Sequence, residues 1–377
     1  MSRIVVILTA FFAAALVTPL VRRAAFSWGA VDMPDVSGAS ESGRKRHEKA
    51  MPLFGGAAVF AAMALALATA LALGWLPGEN IKMKFVVGIV TASALLVIGG
   101  ALDDRFNLKP ARQIVWPALA TLVMVVCGVG IRAVSNPFGG IIPLDGVQFT
   151  VLWWQGIPYK LTLFADLFTV AWLMGMTYTT KLLDGLDGLV SGTLVIGAVI
   201  LAFVSVTRDY AQPDTVLVCL AVAGAFAGFL LYNFPPASIF LGEGGSTLAG
   251  FLLGTLAIIS GGKIAAALLV LGLPILDAAL VIIRRAVIER RSPFSGDRTH
   301  LHFRLLDRGF SPRQVLLTYW LATALLGTAT FFLQGEAKLL ALVLLALGLA
   351  VSTWLSFSRD TRGADAAGSD KGISRHA

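Results

Sequence analysis

Charge is what this chain has least of. Only 14% of its 377 residues are Asp, Glu, Lys or Arg, against 57% hydrophobic residues, and the mean hydropathy is +0.81. Soluble domains carry about 25% charged residues. The shortage excludes a soluble globular chain and points to a polytopic helical membrane protein. Cysteine is nearly absent too. Cys127 and Cys219 each lie inside an apolar run, so a disulfide framework or thiolate metal site is excluded and both read as small buried side chains. There is no internal repeat, and turns between apolar runs leave no room for a second domain. The first apolar run, residues 4–21, lacks a small-residue cleavage site followed by a polar domain, and reads as a retained span.

What is abundant is apolar length. Crossing about 30 Å of hydrocarbon takes roughly 20 apolar residues. Eleven runs approach that: residues 4–21, 53–76, 85–102, 113–132, 163–180, 189–207, 215–234, 247–261, 264–283, 314–333 and 337–357. The expected architecture is an all-α polytopic membrane protein of about 11 transmembrane helices, one catalytic domain over residues 1–357, and a disordered tail over 358–377. Placing the N-terminus outside puts 22 of the 30 Lys and Arg residues on inside segments, which makes the C-terminus cytoplasmic. The net charge of +8 is thus a matter of membrane topology and implies no nucleic acid. The sizeable outside segment, 133–162, contains Asp145-Gly146, a signal for a small extracytoplasmic β-hairpin. Its Trp153, Trp154 and Tyr159 suit an interfacial belt.

That orientation collects several acidic and basic motifs on the cytoplasmic face. Central among them is Lys181-Leu182-Leu183-Asp184-Gly185-Leu186-Asp187-Gly188, between two apolar runs. Two acids three residues apart can share one face of a helical turn, and ionisable groups near membrane depth usually mark function. Most Asp-Gly pairs are plain turns. Asp103-Asp104 ends another run, where adjacent carboxylates offer either a metal site or a base. Asn233 to Ser246 contains no Lys or Arg, and Glu243-Gly244-Gly245-Ser246 opens a helix. Free backbone N–H groups there could receive an anion such as diphosphate, with a divalent cation bridging it to Glu243; most Gly-Ser helix starts are simple caps. Lys49 stands before Pro52 and Gly55-Gly56 at a constrained loop-to-helix junction suited to a phosphate, whereas Arg44-Lys45-Arg46 fits a lipid-headgroup anchor equally well. His300 and His302 are spaced for one face of an extended segment, and two His beside Arg298 and Arg304 favour phosphate over zinc. Asp277 is expected to pair with Arg284 or Arg285.

Together, Arg44–Gly56, Leu102–Arg105, Leu183–Gly188, Asn233–Ser246 and Asp297–His302 resemble the polyprenyl-phosphate N-acetylhexosamine-1-phosphate transferases of bacterial cell-envelope synthesis. The resemblance spans roughly residues 1–335. It implies that a UDP-linked N-acetyl sugar gives its sugar 1-phosphate to a polyprenyl phosphate, releasing UMP, with Mg2+ required. The setting it implies is the bacterial inner membrane with a cytoplasmic active site, and it leaves a homodimer open. It further implies Asp103 as base toward the lipid phosphate, supported by Asp104. Asp184 and Asp187 would lie around uridine and diphosphate, Asn233 near the nucleotide, and His300 and His302 near the sugar phosphate. Lys49, Lys181, Gly244, Ser246 and Arg298 complete the substrate set, and Glu243 with Asp187 forms the metal set. Two positions depart: family members usually carry Asn where Lys181 stands and Asp where Glu243 stands. The Arg-Thr-His-Leu-His loop is closer to the GlcNAc-1-phosphate branch than to the phospho-MurNAc-pentapeptide branch. A transporter is the alternative from another class; it would place charges at mid-span, often in repeated halves. The Lys181 and Glu243 departures are expected to lie within contact distance and to have changed together.

Overall fold

The computed structural model describes residues 1–33, 49–136, 138–154, 157–207, 211–261, 264–290, 300–333 and 335–351. The helices are α1 (Ser2–Trp28), α2 (Gly55–Ala72), α3 (Met83–Phe106), α4 (Pro110–Gln113), α5 (Val115–Val126), α6 (Leu163–Leu183) and α7 (Leu189–Thr207). They continue with α8 (Pro213–Asn233), α9 (Gly242–Ile259), α10 (Ile264–Val270), α11 (Gly272–Arg284), α12 (Leu301–Asp307) and α13 (Pro312–Phe332). Residues 336–351 are helical as well. The strands are β1 (Val31–Asp32), β2 (Met51–Pro52), β3 (Ala133–Ser135), β4 (Ile141–Pro143), β5 (Gln148–Trp154) and β6 (Ile157–Thr162).

Among the described residues, seven helices are long and apolar enough to cross a membrane: α1, α2, α3, α7, α8, α9 and α13. An eighth is reached if α10 and α11, bent by 77° at their junction, form one span. The spans are therefore all-α, and among the described residues fewer than eleven helices meet that length and hydropathy. The run at 113–132 shows why. Its apolar helix runs Pro110–Val126, α4 and α5 together, which rises about 25 Å at 1.5 Å per residue, short of the hydrocarbon thickness. The run at 264–283 breaks because Pro274, in the first turn of α11, has no N–H to give to the preceding turn. The tail from 358 lies outside the described residues.

Helix α9 is the centre. It packs on α2, α3, α6 and α7, and nearly every residue along it is buried, as a helix apolar all round requires. Its first turn is made of glycines because backbones meet there. A methyl group on Gly100 of α3 would overlap the backbone of Gly244, and one on Gly56 of α2 would overlap Gly245. Gly100→Ala is expected to separate α3 from α9 and cost about 2 kcal/mol, measured as an earlier unfolding midpoint in detergent. An unchanged midpoint would show that the two helices can part freely.

Residues 133–143 and 148–162 form two hairpins. β3 pairs antiparallel with β4 across Gly139-Gly140, and β5 pairs antiparallel with β6. Asp145-Gly146 is not the hairpin turn expected of it. It joins β4 to β5, which do not pair with each other.

Candidate active site

The acids at the end of α3 are ordered by a reversal of the chain. Asn107 takes left-handed conformation with φ of 48°, which Asn tolerates better than most residues. Pro110 then starts α4, as proline readily does. The reversal brings residues 108–113 back under Asp103. Its Oδ1 accepts from the Leu108 N–H at 2.8 Å and from Gln113 Nε2 at 3.0 Å. Asp104 turns the other way and accepts from the Glu243 N–H at 3.0 Å. Gly242, at φ of 71°, has no side chain to block the Leu53 carbonyl or the Asp104 carboxylate, both of which occupy the space a Cβ would fill.

This arrangement changes the expected role of the α9 start. Its leading amide is capped by Asp104, and Gly244 and Gly245 lie against α3 and α2. Ser246 is buried, its hydroxyl 3.3 Å from the Glu243 carbonyl and its own carbonyl accepting from Thr180. Here the glycines serve helix packing, and of the N–H groups expected to be free, that of Glu243 is already taken by Asp104.

Lys181, in the last turn of α6, reaches Glu243. Its Nζ is 2.6 Å from Glu243 Oε1 and 2.9 Å from Gln113 Oε1. The two departures from the family pattern are thus in direct contact, as expected. Asp184 follows as the residue ending α6. Although its side chain opens to solvent, the surrounding protein, then the charges of Glu243 and Asp187, raise its carboxyl to about 7. Asp187 accepts from the Ala237 N–H at 2.9 Å. Among the described residues no group of three or more His, Cys, Asp or Glu is gathered to hold a metal. Glu243 is neutralised by Lys181, which weakens its candidacy, whereas Asp184 and Asp187 suit a hard cation that takes few protein oxygens and completes its shell with water and phosphate.

Asn233 acts as a clasp. Its Oδ1 accepts from the Gly188 N–H (3.1 Å) and the Ser191 hydroxyl (2.8 Å), and its Nδ2 donates to the Ile239 carbonyl (3.1 Å). With both ends of the amide engaged and the side chain buried, Asn233 fixes the 184–188 turn against the 234–241 loop. Lys49 is exposed beside β2. Arg298, with Arg44 to Glu48, lies outside the described residues.

His300 and His302 do not lie on an extended segment. His300 caps α12 and His302 is in its first turn, with the rings stacked at 5.8 Å and 7°. Asp277 is bound differently from expectation too. It holds His300 Nδ1 at 2.9 Å, the Leu301 N–H at 3.0 Å and an Arg304 nitrogen at 3.5 Å. The reason is position: the start of α12 presents an open N–H and an imidazole directly to it, a cap that an arginine further along its own helix does not replace. His302 lies over Gly185, where a side chain would collide with its Nε2, so the histidine pair abuts the Asp184–Gly188 turn.

Sequence reasoning missed Gln113, since a lone Gln at the start of an apolar run carries no signal. It lines a cleft with Leu96, Gly99, Trp116, Pro117, Asp103, Glu243 and Thr247. Two carboxylates thus border apolar wall in this cleft, and Lys181 is bonded to its Glu243 and Gln113. Fold and site together define a polytopic membrane enzyme with an acidic centre at the helix ends.

Residues 86–261 match the family model described as glycosyl transferase family 4. A Bacillus subtilis (strain 168) protein named "Probable undecaprenyl-phosphate N-acetylglucosaminyl 1-phosphate transferase" is 30% identical over 353 residues, 92% of this chain and 89% of that protein. A Mycolicibacterium smegmatis decaprenyl-phosphate N-acetylglucosaminephosphotransferase is 32% identical over 375 residues, 92% of this chain and 86% of that one. A Desulforudis audaxviator phospho-N-acetylmuramoyl-pentapeptide-transferase is 28% identical over 284 residues, 70% of this chain and 80% of that one. The chain belongs to glycosyl transferase family 4, the family of the polyprenyl-phosphate N-acetylhexosamine-1-phosphate transferases.

Proposed function

We propose that the chain transfers N-acetylglucosamine 1-phosphate from UDP-N-acetylglucosamine to a polyprenyl phosphate and releases UMP. The observation that carries this is the meeting of the Asp103 and Glu243 carboxylates with the apolar Leu96, Trp116 and Pro117 wall, with Lys181 bonded to Glu243. A lipid phosphate needs charged and apolar surface side by side. The names of the B. subtilis and M. smegmatis relatives support N-acetylglucosamine as the sugar and a polyprenyl phosphate as acceptor.

In the reaction, an oxygen of the lipid phosphate attacks the sugar-bearing phosphorus. The bond from that phosphorus to the bridging oxygen breaks, and UMP leaves with that oxygen. Phosphoryl transfer asks mainly for alignment and charge neutralisation. Asp103, with Oδ1 anchored, takes the lipid phosphate proton on Oδ2. Lys181 neutralises diphosphate charge as a compact ammonium. Magnesium, when bound, supplies further neutralisation, and Asp184 and Asp187 are the residues that would hold it. The histidine pair serves the sugar phosphate in this reading, Arg298 is assigned to the same phosphate by the motif alone, and Lys49 serves as an outer phosphate contact. The distribution of Lys and Arg supports a cytoplasmic site in a bacterial inner membrane.

The test is direct. Purified protein in detergent is given undecaprenyl phosphate, Mg2+ and UDP-N-acetylglucosamine labelled in the sugar. Label should enter the organic phase with one UMP released per lipid product. UDP-MurNAc-pentapeptide is run in parallel. Transfer from that donor alone would move the chain to the other branch, and transfer from neither would overturn the proposal.

A further inference from the structure

We propose that Gln113 is a positioning residue for the acceptor phosphate, holding Asp103 and Lys181 apart as a fixed, charge-separated pair. The inference rests on the reading of Asp103 as base.

The side chain sits between two ionised groups of opposite sign. Its Nε2 donates to Asp103 Oδ1 at 3.0 Å and to the Leu108 carbonyl at 3.0 Å, and its Oε1 accepts from Lys181 Nζ at 2.9 Å. The partners fix the amide's orientation. Ammonium only donates and carboxylate only accepts, so oxygen must face Lys181 and nitrogen Asp103. Both Nε2 hydrogens are used. The chain continues from Lys181 to Glu243 at 2.6 Å, giving a relay of Asp103, Gln113, Lys181 and Glu243 drawn from α3, α4, α6 and α9.

The consequence is a division of labour within one carboxylate. Oδ1 of Asp103 receives both the Leu108 N–H and the Gln113 amide, while Oδ2 has no hydrogen bond among the described residues. A neutral amide can do this where a cation could not. An ammonium placed directly on Asp103 would lower its basicity, whereas the amide orients it without cancelling its charge. The same amide orients Lys181, whose flexible stem otherwise leaves its charge mobile.

Gln113→Leu removes both donor and acceptor at similar volume. It is expected to lower kcat about tenfold or more at saturating donor, with the KM for UDP-N-acetylglucosamine within about twofold. The discriminating measurement is the same change in an Asp103→Asn background. If Gln113 acts through Asp103, the second loss should be clearly smaller, reduced to the part carried by Lys181, because coupled residues are not additive. A packing role would give the same factor in both backgrounds and overturn the inference, as would an unchanged kcat in Gln113→Leu. Gln113→Glu covers the case of a variant that does not fold. It keeps shape and the acceptor for Lys181 but loses the donor to Asp103, so it should also lose kcat; normal turnover would overturn the inference. The two readings fail separately: a normal rate in Asp103→Asn removes the base, whereas a slow Asp103→Asn with a normal Gln113→Leu removes only Gln113.

Discussion

Asp103→Asn is expected to slow turnover by roughly a hundredfold to ten-thousandfold, the range general-base catalysis supplies, while donor binding changes little. The substitution keeps what holds the residue in place. An asparagine oxygen can still accept from the Leu108 N–H and the Gln113 amide at the positions now filled by Oδ1. What is lost is the second oxygen, replaced by an amide nitrogen that cannot take a proton. The loss should therefore appear in kcat at saturating UDP-N-acetylglucosamine, with an unchanged unfolding midpoint. Asp104 provides an internal contrast, since it caps the Glu243 N–H at 3.0 Å, and Asp104→Asn should weaken the α3–α9 junction as well as activity. Near-normal turnover in Asp103→Asn would remove Asp103 from the mechanism.

The second large effect is expected at Lys181 and Glu243. Their 2.6 Å contact is only about one-fifth exposed, at 24% and 19% for the two side chains. A pair so far from bulk water is screened less than a surface bridge. Lys181→Asn strands Glu243 among the acids of the site and should cost on the order of 2 kcal/mol in stability, together with about tenfold or more in turnover. Glu243→Asp shortens the acid and leaves the ammonium less firmly placed. The double variant restores the Asn–Asp combination usual in the family, changing the summed charge from zero to minus one. It should recover activity lost by either single change and show a stronger dependence on Mg2+, because a more negative site leans more on the metal. A coupling energy of about 1 kcal/mol or more is expected from a double-mutant cycle. Strictly additive losses would show that the two residues share a contact without sharing a function.

By itself the sequence determined the class of molecule. Apolar runs too long and too uncharged for water leave a helical membrane protein as the solution, and the bias of Lys and Arg is the ground for expecting the acidic motifs on one side. Five short motifs in order then gave the family. The departures at Lys181 and Glu243 could be read as a pair because a lone cation beside a site for cations demands a partner.

Only the tertiary structure decided which groups are free and which are already engaged. The α9 start was legible as a set of free N–H groups, but Asp104, 139 positions away in the chain, takes that of Glu243. Asn233 had the look of a ligand contact, yet both ends of its amide are used to clasp two loops. Gln113 had no signal at all, and becomes visible only when the Asn107 reversal carries it under Asp103 and α6 brings Lys181 alongside. The common reason is that hydrogen-bond capacity is a local sequence property, whereas its satisfaction depends on partners that folding brings from elsewhere. Periodicity and charge report how a segment faces water. They do not report which distant donor has arrived at its acceptor.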